Sequence, residues 1–310
     1  MDPEGPVYQP PVRRRELRRR QGRRRRLVAV AALVGSLLFA LAVVPWAVDK
    51  VRSIGRADPR GAQVTVITIH SKAVGATLHT TVVVPKATQA DQHKRPLLVF
   101  LHGRGGDHNS FRGDDAMFVA LSRLGPRAPI VAFPDGGDHS YWHNRADGNW
   151  GDYVVNEVVP QVARSVDANP RRLAIGGISM GGFGAYDLVL KHPGRFCAVG
   201  GHSPALWSSA GETAPGAFDD ASDFARNNVV GAAHNGDSAF LRLPVWLDAG
   251  NQDPFQPGDH SFIAGLRNAG AKLSAHTTWP GGHVGSYWDK HWLAYFHFYV
   301  KALAHCRLGG

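Results

Sequence analysis

The sequence contains little cysteine: two residues in a chain of 310, which is too few to form a disulfide scaffold. It also has no CxxC or HExxH pattern of the kind that binds metal, and no Gly-Lys-Ser/Thr that would complete a phosphate-binding loop. Hydrophobic residues make up 44% of the chain, and this share excludes a disordered or fibrous protein. We therefore expect a globular protein of one large domain or two ordinary ones.

Positive charge is concentrated at the start of the chain. The formal net charge is +10, but residues 1–26 hold ten arginines against three acidic residues, so the remainder is close to neutral. Such a tail could bind nucleic acid. Because the arginines stop directly before an apolar segment, membrane topology explains them better. We expect a disordered, basic cytoplasmic tail over 1–26 and no nucleic-acid partner.

Residues 27–48 form a stretch without any charged side chain. A helix of this length is roughly 33 Å long, enough to cross the hydrocarbon core of a bilayer. The preceding arginines predict a single-pass transmembrane signal anchor in the cell membrane with its C-terminal side outside the cytoplasm. A linker over 49–62 and an extracytoplasmic domain over 63–310 are expected to follow it. A signal peptide cleaved near Ala40 and Ala42, which would release a secreted protein, is the alternative.

The two cysteines, Cys197 and Cys306, fit an extracytoplasmic location. In an oxidising compartment they could pair and connect the C-terminus to the core. Two buried thiols would satisfy the same sequence, so the pairing is left open.

Short apolar runs alternate with helical patterns along residues 63–310. Two runs rich in β-branched residues, 64–70 and 78–84, predict an antiparallel hairpin. Further strands are predicted at 97–101, 130–133, 173–176, 197–200, 244–247 and 273–277, and helices at 115–124, 153–166, 183–192, 262–269 and 288–304. This order predicts one α/β domain with a mostly parallel central sheet. Residues 205–241 interrupt the alternation and are expected to form a partial lid or a long surface loop.

The strongest chemical signal is Gly177-Ile-Ser179-Met-Gly181, a G-x-S-x-G pattern. An apolar run precedes it and a helix closed by Pro193 follows it, which is the strand–turn–helix context that a nucleophilic serine requires. Glycine on either side permits a tight turn with the serine hydroxyl exposed at its tip. We expect Ser179 to be a nucleophile rather than part of a Gly-rich packing turn.

A serine hydroxyl needs a base, and the base needs a carboxylate to orient it. In this architecture the acid and then the histidine follow the serine along the chain. Asp253, in the loop after a predicted strand, is the favoured acid; Asp248 is less free to reach a histidine because it lies within or at the end of that strand, and Asp259 is a weaker candidate. His283, in the Gly-rich loop after the last predicted strand, is the favoured base. The five other histidines beyond Asp253 are expected to be structural or exposed.

Attack on an ester carbonyl creates an oxyanion, which backbone N–H groups must stabilise. The Met180 N–H, directly after the nucleophile, is one expected donor. The second should come from the glycine-rich HGRGG loop at 102–106, because glycines let the backbone approach a ligand closely. There we expect the Arg104 N–H to serve, with Gly105 as the next choice.

Six segments spread over about residues 64–305 carry a resemblance to a known family. They are the strand ending in HGRGG, FPDGG at 133–137, the helix at 150–160, GGISMGGFGAYDLVLKHPGRF, GNQDPF and the GGH loop. Together they resemble the esterase D-like (Putative esterase) family of α/β-hydrolases, which includes S-formylglutathione hydrolases, feruloyl esterases and mycolyltransferases. The resemblance implies an α/β-hydrolase fold with helices on both faces of the sheet, the same triad and oxyanion amides, and a scaffold role for Glu157. Mycolyltransferases have glutamate where Asp253 stands, and their trehalose-contacting loop matches 105–114 poorly.

These features lead to the hypothesis of a membrane-anchored, extracytoplasmic serine esterase that hydrolyses small-molecule or lipid carboxylic esters through an acyl-enzyme, without a metal or organic cofactor. A mycolyltransferase-like acyltransferase of the cell envelope, a non-catalytic hydrolase-fold binding protein and a peptidase of the same fold are the alternatives.

Overall fold

The computed structural model describes residues 57–86 and 95–306. The segments expected to be the basic tail, the transmembrane anchor and most of the linker lie outside these residues, as do residues 307–310. Within the two described ranges, no helix combines the length and the hydropathy that a bilayer-spanning segment needs.

Strands and helices alternate through the described residues much as the sequence predicts. The strands are β1 (Gln63–Ser71), β2 (Ala76–Val84), β3 (Pro96–Leu101), β4 (Ile130–Pro134), β5 (Asn144–Arg145), β6 (Gly148–Asn149), β7 (Asn169–Ile178), β8 (Val199–His202), β9 (Val245–Gly250) and β10 (Leu273–Trp279). The helices are α1 (Asp115–Arg123), α2 (Trp150–Asp152, continuing through the π-helical turn Tyr153–Val158 into Val159–Ser165), α3 (Met180–Lys191), α4 (Ala221–Arg226), α5 (Val229–His234), α6 (Ser238–Leu241), α7 (Gln256–Asn268) and α8 (Gly285–Ala304). Short 3₁₀ turns lie at Gly125–Arg127 and Ala210–Glu212.

Eight of these strands form one sheet in the order β1-β2-β4-β3-β7-β8-β9-β10, and β5 pairs only with β6. The β1–β2 and β2–β4 pairs are antiparallel, and the other five pairs are parallel. This confirms the predicted mostly parallel sheet. The carboxyl ends of β3, β7, β9 and β10 therefore meet at one edge, where such folds keep their sites.

Helices cover both faces of the sheet because its central strands are apolar on both sides. In β3, Leu97, Val99 and Leu101 share a buried core with α2, α3 and α7. The alternate residues Leu98 and Phe100 belong to the opposite core, with α1 and α8. This alternation follows from the two-residue repeat of a strand, and it confirms the expected helices on both faces of the sheet.

Several helices begin earlier than the sequence predicts. The first turn of α7 starts at Gln256 rather than at 262 and contains Pro257, whose missing N–H costs nothing there. α8 starts at Gly285 rather than at 288. In α2 the π-helical turn Tyr153–Val158 lies just before Pro160, whose ring does not fit a regular α-helical interior. The apolar pattern marks the buried part of a helix and misses its polar first turn.

Residues 205–241, expected to be a partial lid or a surface loop, contain α4, α5 and α6 and are attached to the rest of the domain. The ring of Phe218 packs edge to face on Phe183 of α3, with centroids 5.5 Å apart. Arg145 forms an ion pair with Asp219 at 2.7 Å. The segment is thus part of the packed body of the domain.

Cys197 and Cys306 form a disulfide bond, with their Cα atoms 5.4 Å apart. The bond connects the residues just before β8 and just after α8, which are 109 residues apart in sequence. Of the two arrangements that the sequence allows, the structure shows the paired one.

Removing this disulfide should lower the free energy of unfolding. In the loop-entropy description, a crosslink that closes a loop of about 100 residues lowers the conformational entropy of the unfolded chain. This raises the free energy of the unfolded state by about 4–5 kcal/mol. We expect the Cys197→Ala/Cys306→Ala variant to lose about 3–5 kcal/mol in urea unfolding, and the reduced wild-type chain to match it. An unchanged urea midpoint in both samples would show that the bond contributes nothing.

Asp187 of α3 is a buried carboxyl, and one of its oxygens has no hydrogen-bond partner among the residues that the structure describes. Burial raises the pKa of Asp187 to about 7, with Lys191 opposing the shift and Asp223 adding to it. The native protein therefore keeps this proton up to about pH 7, whereas an unfolded chain releases it near pH 4. Since the native state then binds more protons, this group makes the protein less stable as pH rises through that window.

We expect Asp187→Asn to become progressively more stable than wild type as pH increases from about 4 to about 7, and the difference to level off above that. The asparagine cannot ionise, so the variant avoids the burial of a charge. Urea unfolding of both proteins across this pH range measures the difference. A gap that stays constant with pH would contradict the raised pKa.

Candidate active site

Ser179 lies at the sharp turn between β7 and α3. Its backbone φ is 57°, in the left-handed region that residues other than glycine seldom occupy. The turn is possible because neither flank carries a side chain: a Cβ on Gly177 would lie 2.5 Å from the Gly181 backbone, and one on Gly181 would collide with the Leu101 carbonyl. The G-x-S-x-G pattern is thus a steric requirement of this turn.

His283 connects Ser179 to Asp253. Its Nε2 lies 2.8 Å from the Ser179 Oγ, and its Nδ1 lies 2.9 Å from the Asp253 Oδ2. The fold therefore brings the three predicted side chains into one hydrogen-bonded row, although 104 residues separate the serine from the histidine and 30 separate the histidine from the aspartate.

Asp253 follows β9 and is only 5% exposed. Its Oδ1 accepts the Phe255 N–H at 3.0 Å, which leaves Oδ2 for His283. Burial alone would raise the pKa of this carboxyl, but the hydrogen bonds from His283 and Phe255 outweigh burial and hold the pKa of Asp253 below its ordinary value. An ionised Asp253 accepts the Nδ1–H of the ring, so the Nε2 lone pair faces the serine.

The loops that carry Asp253 and His283 are also joined to each other. Asn251 Oδ1 accepts the Gly281 N–H at 3.0 Å, and the Gly281 carbonyl accepts the Gln252 N–H at 2.8 Å. Because β9 and β10 are parallel neighbours, the two loops leave the sheet side by side. These contacts fix the acid relative to the base.

The backbone N–H groups of Met180 and Arg104 donate to no protein acceptor in the described part of the chain. Met180 opens α3, so its N–H is one of the unsatisfied donors of a helix N-terminus. The Gly105 N–H, the second choice for this role, already donates to a backbone carbonyl at 2.9 Å. The loop runs close to the nucleophile, since a Cβ on Gly103 would lie 3.3 Å from that of the serine.

A cavity of about 510 Å³ opens beside the serine. Its walls include Ser179, His283, residues of the Arg104 loop, and the aromatic residues Phe111 and Trp288. The Trp288 ring meets the His283 ring edge to face, with centroids 5.3 Å apart. The cavity can therefore admit an apolar or aromatic group next to the serine hydroxyl.

Another histidine–aspartate pair lies in the core, and the sequence reasoning missed it. Asp248 Oδ1 accepts a hydrogen bond from His202 Nδ1 at 2.7 Å, and both side chains are fully buried. Asp248 Oδ2 accepts the hydroxyls of Tyr287 and Tyr295, each at 2.9 Å. Asp248 thus does reach a histidine, contrary to expectation, but not His283. A carboxylate inside the apolar strand VWLDAG is the signal that could have pointed to a buried network.

This network should contribute strongly to stability. We expect Asp248→Ala to lower the free energy of unfolding by about 3–5 kcal/mol, because His202 and two tyrosine hydroxyls would remain buried without their acceptor. Tyr295→Phe removes one donor and leaves the others paired, so it should cost only about 1 kcal/mol. Urea unfolding compares the two variants, and equal losses would argue against a shared buried acceptor.

The other acidic candidates do not contact His283. Asp259 is buried in α7, neither of its carboxylate oxygens has a partner within the described ranges, and burial raises its pKa well above the ordinary value. Glu157 accepts the backbone N–H groups of Lys72 and Ala73, at 2.9 and 3.1 Å. It therefore ties α2 to the β1–β2 turn, the scaffold role that the resemblance implies.

Residues 71–300 match the sequence profile of the family described as Putative esterase. The chain is also similar to Esterase Rv1288 of Mycobacterium tuberculosis (strain ATCC 25618 / H37Rv) and to Esterase MT1326 of Mycobacterium tuberculosis (strain CDC 1551 / Oshkosh), each 28% identical over 254 residues. The similarity covers 69% of this chain and 54% of each relative. The chain thus spans about half the length of the curated relatives it matches.

Solved structures share the fold. A ferulic acid esterase superposes with a TM-score of 0.68 at 21% identity, covering 78% of this chain and 98% of that one. An S-formylglutathione hydrolase from Agrobacterium tumefaciens gives 0.65 at 18% identity, covering 78% and 96%. MPT51 (FbpC1) of Mycobacterium tuberculosis gives 0.64 at 16% identity, covering 78% and 100%. With the profile matching most of its length, the chain belongs to the Putative esterase family.

Proposed function

We propose that this protein is a serine esterase in which Ser179, His283 and Asp253 form the catalytic triad. The observation that carries the proposal is the hydrogen-bonded row from the serine Oγ through both ring nitrogens to the buried carboxylate. The family and the esterase names of its curated relatives support the same reaction class. A triad of this kind needs no metal or organic cofactor.

In the acylation step, Ser179 Oγ attacks the ester carbonyl carbon while His283 Nε2 accepts the hydroxyl proton. Asp253 remains ionised and stabilises the imidazolium that forms. When the tetrahedral intermediate collapses, the bond to the alcohol oxygen breaks and His283 returns the proton to that oxygen. The alcohol leaves, and the acyl group stays on the serine as an ester.

The Met180 and Arg104 N–H groups form the proposed oxyanion hole. Both lie beside the serine and have no protein acceptor in the described ranges, so they can donate to the carbonyl oxygen as it becomes negative. The N-terminus of α3 adds its positive end to the same place.

The acyl-enzyme is resolved by a second attack that His283 assists as a base. If water attacks, the products are a carboxylic acid and free Ser179, which is ester hydrolysis. If an alcohol attacks instead, a new ester forms, which is the acyltransferase alternative. We favour hydrolysis, with a small-molecule or lipid ester as substrate.

We further propose that the catalytic domain, residues 63–310, works outside the cytoplasm on the single-pass anchor at 27–48. The disulfide between Cys197 and Cys306 agrees with an oxidising compartment. N-terminal sequencing of the protein extracted from membranes distinguishes an intact anchor from a cleaved signal peptide. A mature protein that starts after Ala42 would contradict the anchor.

The function is tested by assaying p-nitrophenyl esters of increasing acyl length, with and without an added alcohol. We expect release of p-nitrophenol without the alcohol, and carboxylic acid as the main product. A new ester as the main product when alcohol is present would make the protein an acyltransferase. If the wild-type protein releases p-nitrophenol no faster than Ser179→Ala does, the protein is a non-catalytic binding protein instead.

A further inference from the structure

A cluster of metal-ligating side chains lies outside the proposed catalytic row. It consists of His79 in β2, His108 in the loop after β3 and Asp135 directly after β4, with one ligand atom of each within 4.8 Å of the others. His108 Nδ1 lies 2.7 Å from Asp135 Oδ1, and His79 Nδ1 lies 3.6 Å from Asp135 Oδ2. The three residues come from separate segments, so no local sequence motif reveals them.

The carboxylate of the cluster is held in place by the backbone. The His108 N–H donates to Asp135 Oδ1 at 2.9 Å, and the His79 N–H donates to Oδ2 at 2.7 Å. Each carboxylate oxygen has two lone pairs, so these bonds leave acceptor capacity on both oxygens. A ligand that binds here therefore meets an oriented carboxylate.

Both rings can offer Nδ1 to an ion. The Asn109 Nδ2 lies 3.0 Å from His108 Nε2, and a half-turn of this amide places its oxygen there instead. With its oxygen accepting an Nε2–H, the lone pair on Nδ1 is free, which is how histidine ligands are usually supported. The His79 side chain is 42% exposed, so an ion can reach it from solvent and its ring can adjust.

We propose that His79, His108 and Asp135 bind a divalent transition-metal ion, with zinc as the expected occupant. Two imidazole nitrogens and a carboxylate oxygen are a donor set that Zn²⁺ takes at about 2.0–2.2 Å, with solvent in the remaining position. When the ion binds His108 Nδ1, any proton between that nitrogen and Asp135 Oδ1 is released to solvent. The site joins β2, the β3 loop and the end of β4 at one point.

The position of this site gives it a consequence for catalysis, which rests on the proposed function. His108 lies four residues after Arg104, in the same loop that presents the proposed oxyanion donor. An ion at the cluster fixes this loop to two strands of the sheet and so steadies the Arg104 N–H. Metal binding itself does not depend on the esterase activity.

The test is a zinc titration of the full-length chain, purified in detergent and stripped with a chelator, by isothermal titration calorimetry. We expect one zinc ion per chain, with affinity reduced at least about tenfold in both His79→Asn and His108→Asn. The matched control His260→Asn/His276→Asn removes a second pair of neighbouring rings, whose centroids are 6.3 Å apart, and should bind like wild type. Ser179→Ala should also bind like wild type, which separates this site from catalysis.

Cobalt(II) in place of zinc provides a spectroscopic readout, because ligation by histidine and carboxylate gives visible absorption. That absorption should disappear in His79→Asn, whose half-exposed side chain can be replaced without loss of folding, as urea unfolding checks. Equal zinc affinity in wild type and both single variants, or no binding in any of them, would overturn the proposal.

Discussion

Replacing Ser179 with alanine is expected to lower kcat for ester hydrolysis by roughly 10⁴- to 10⁶-fold while the domain stays folded. The Oγ of this serine is the hydroxyl that His283 Nε2 contacts, at 2.8 Å, so the base would have no nucleophile other than water. What remains is the assistance of the oxyanion donors and of substrate binding. Steady-state hydrolysis of a p-nitrophenyl ester measures the loss, and circular dichroism verifies the fold.

Ser286→Ala is the matched control for this prediction. Ser286 is exposed and lies three residues after His283. Its substitution also removes a serine hydroxyl near the site, but Ser286 is not part of the hydrogen-bonded row of Ser179, His283 and Asp253. We expect its kcat to stay within about twofold of wild type, as for most exposed substitutions. Activity of Ser179→Ala within tenfold of wild type would rule out this serine as the nucleophile.

Asp253→Asn should lower kcat by about 10⁴-fold with little change in KM. An asparagine can turn its amide N–H toward Nδ1, which leaves the ring proton on Nε2, facing the serine. His283 then has no lone pair with which to accept the hydroxyl proton. The substrate affinity should hold because Asp253 is buried and does not line the cavity.

Asp289→Asn is the control that separates orientation from charge. Asp289 is exposed and lines the cavity. Its substitution by asparagine makes the same change from carboxylate to amide as Asp253→Asn. We expect it to alter kcat by less than about tenfold, since exposed charges are screened by solvent. Equal losses in the two variants would mean that negative charge near the site, rather than the tautomer of His283, is what matters.

Features set by local sterics could be predicted from the sequence. β3 and β7 are recognisable because burial on both faces requires an uninterrupted apolar run. Ser179 is recognisable because only glycine fits at 177 and 181, where a side chain would meet the backbone. Asp253 and His283 could be selected from chain order together with their positions in loops after predicted strands, because parallel strands deliver their following loops to one edge.

Features that depend on long-range pairing could not be predicted. The Asp248–His202 pair joins residues 46 apart, and its hydroxyl donors come from α8. No motif of fixed spacing in the sequence therefore indicates the pair. The disulfide stayed open because two distant cysteines satisfy the sequence equally well as thiols. Weak helix signals at 219–227 correspond to α4, whereas α5 and α6 were missed because they are short, and α6 packs its Phe240 ring against Tyr186 of α3.

Labelling with a fluorophosphonate, followed by mass spectrometry of the labelled peptide, examines the proposed nucleophile most directly. Such a probe phosphonylates a serine whose proton a neighbouring base removes. We predict one label per chain on Ser179, none in Ser179→Ala and much slower labelling in His283→Ala. A folded wild-type protein that stays unlabelled, or that carries the label on another residue, would contradict the proposed triad.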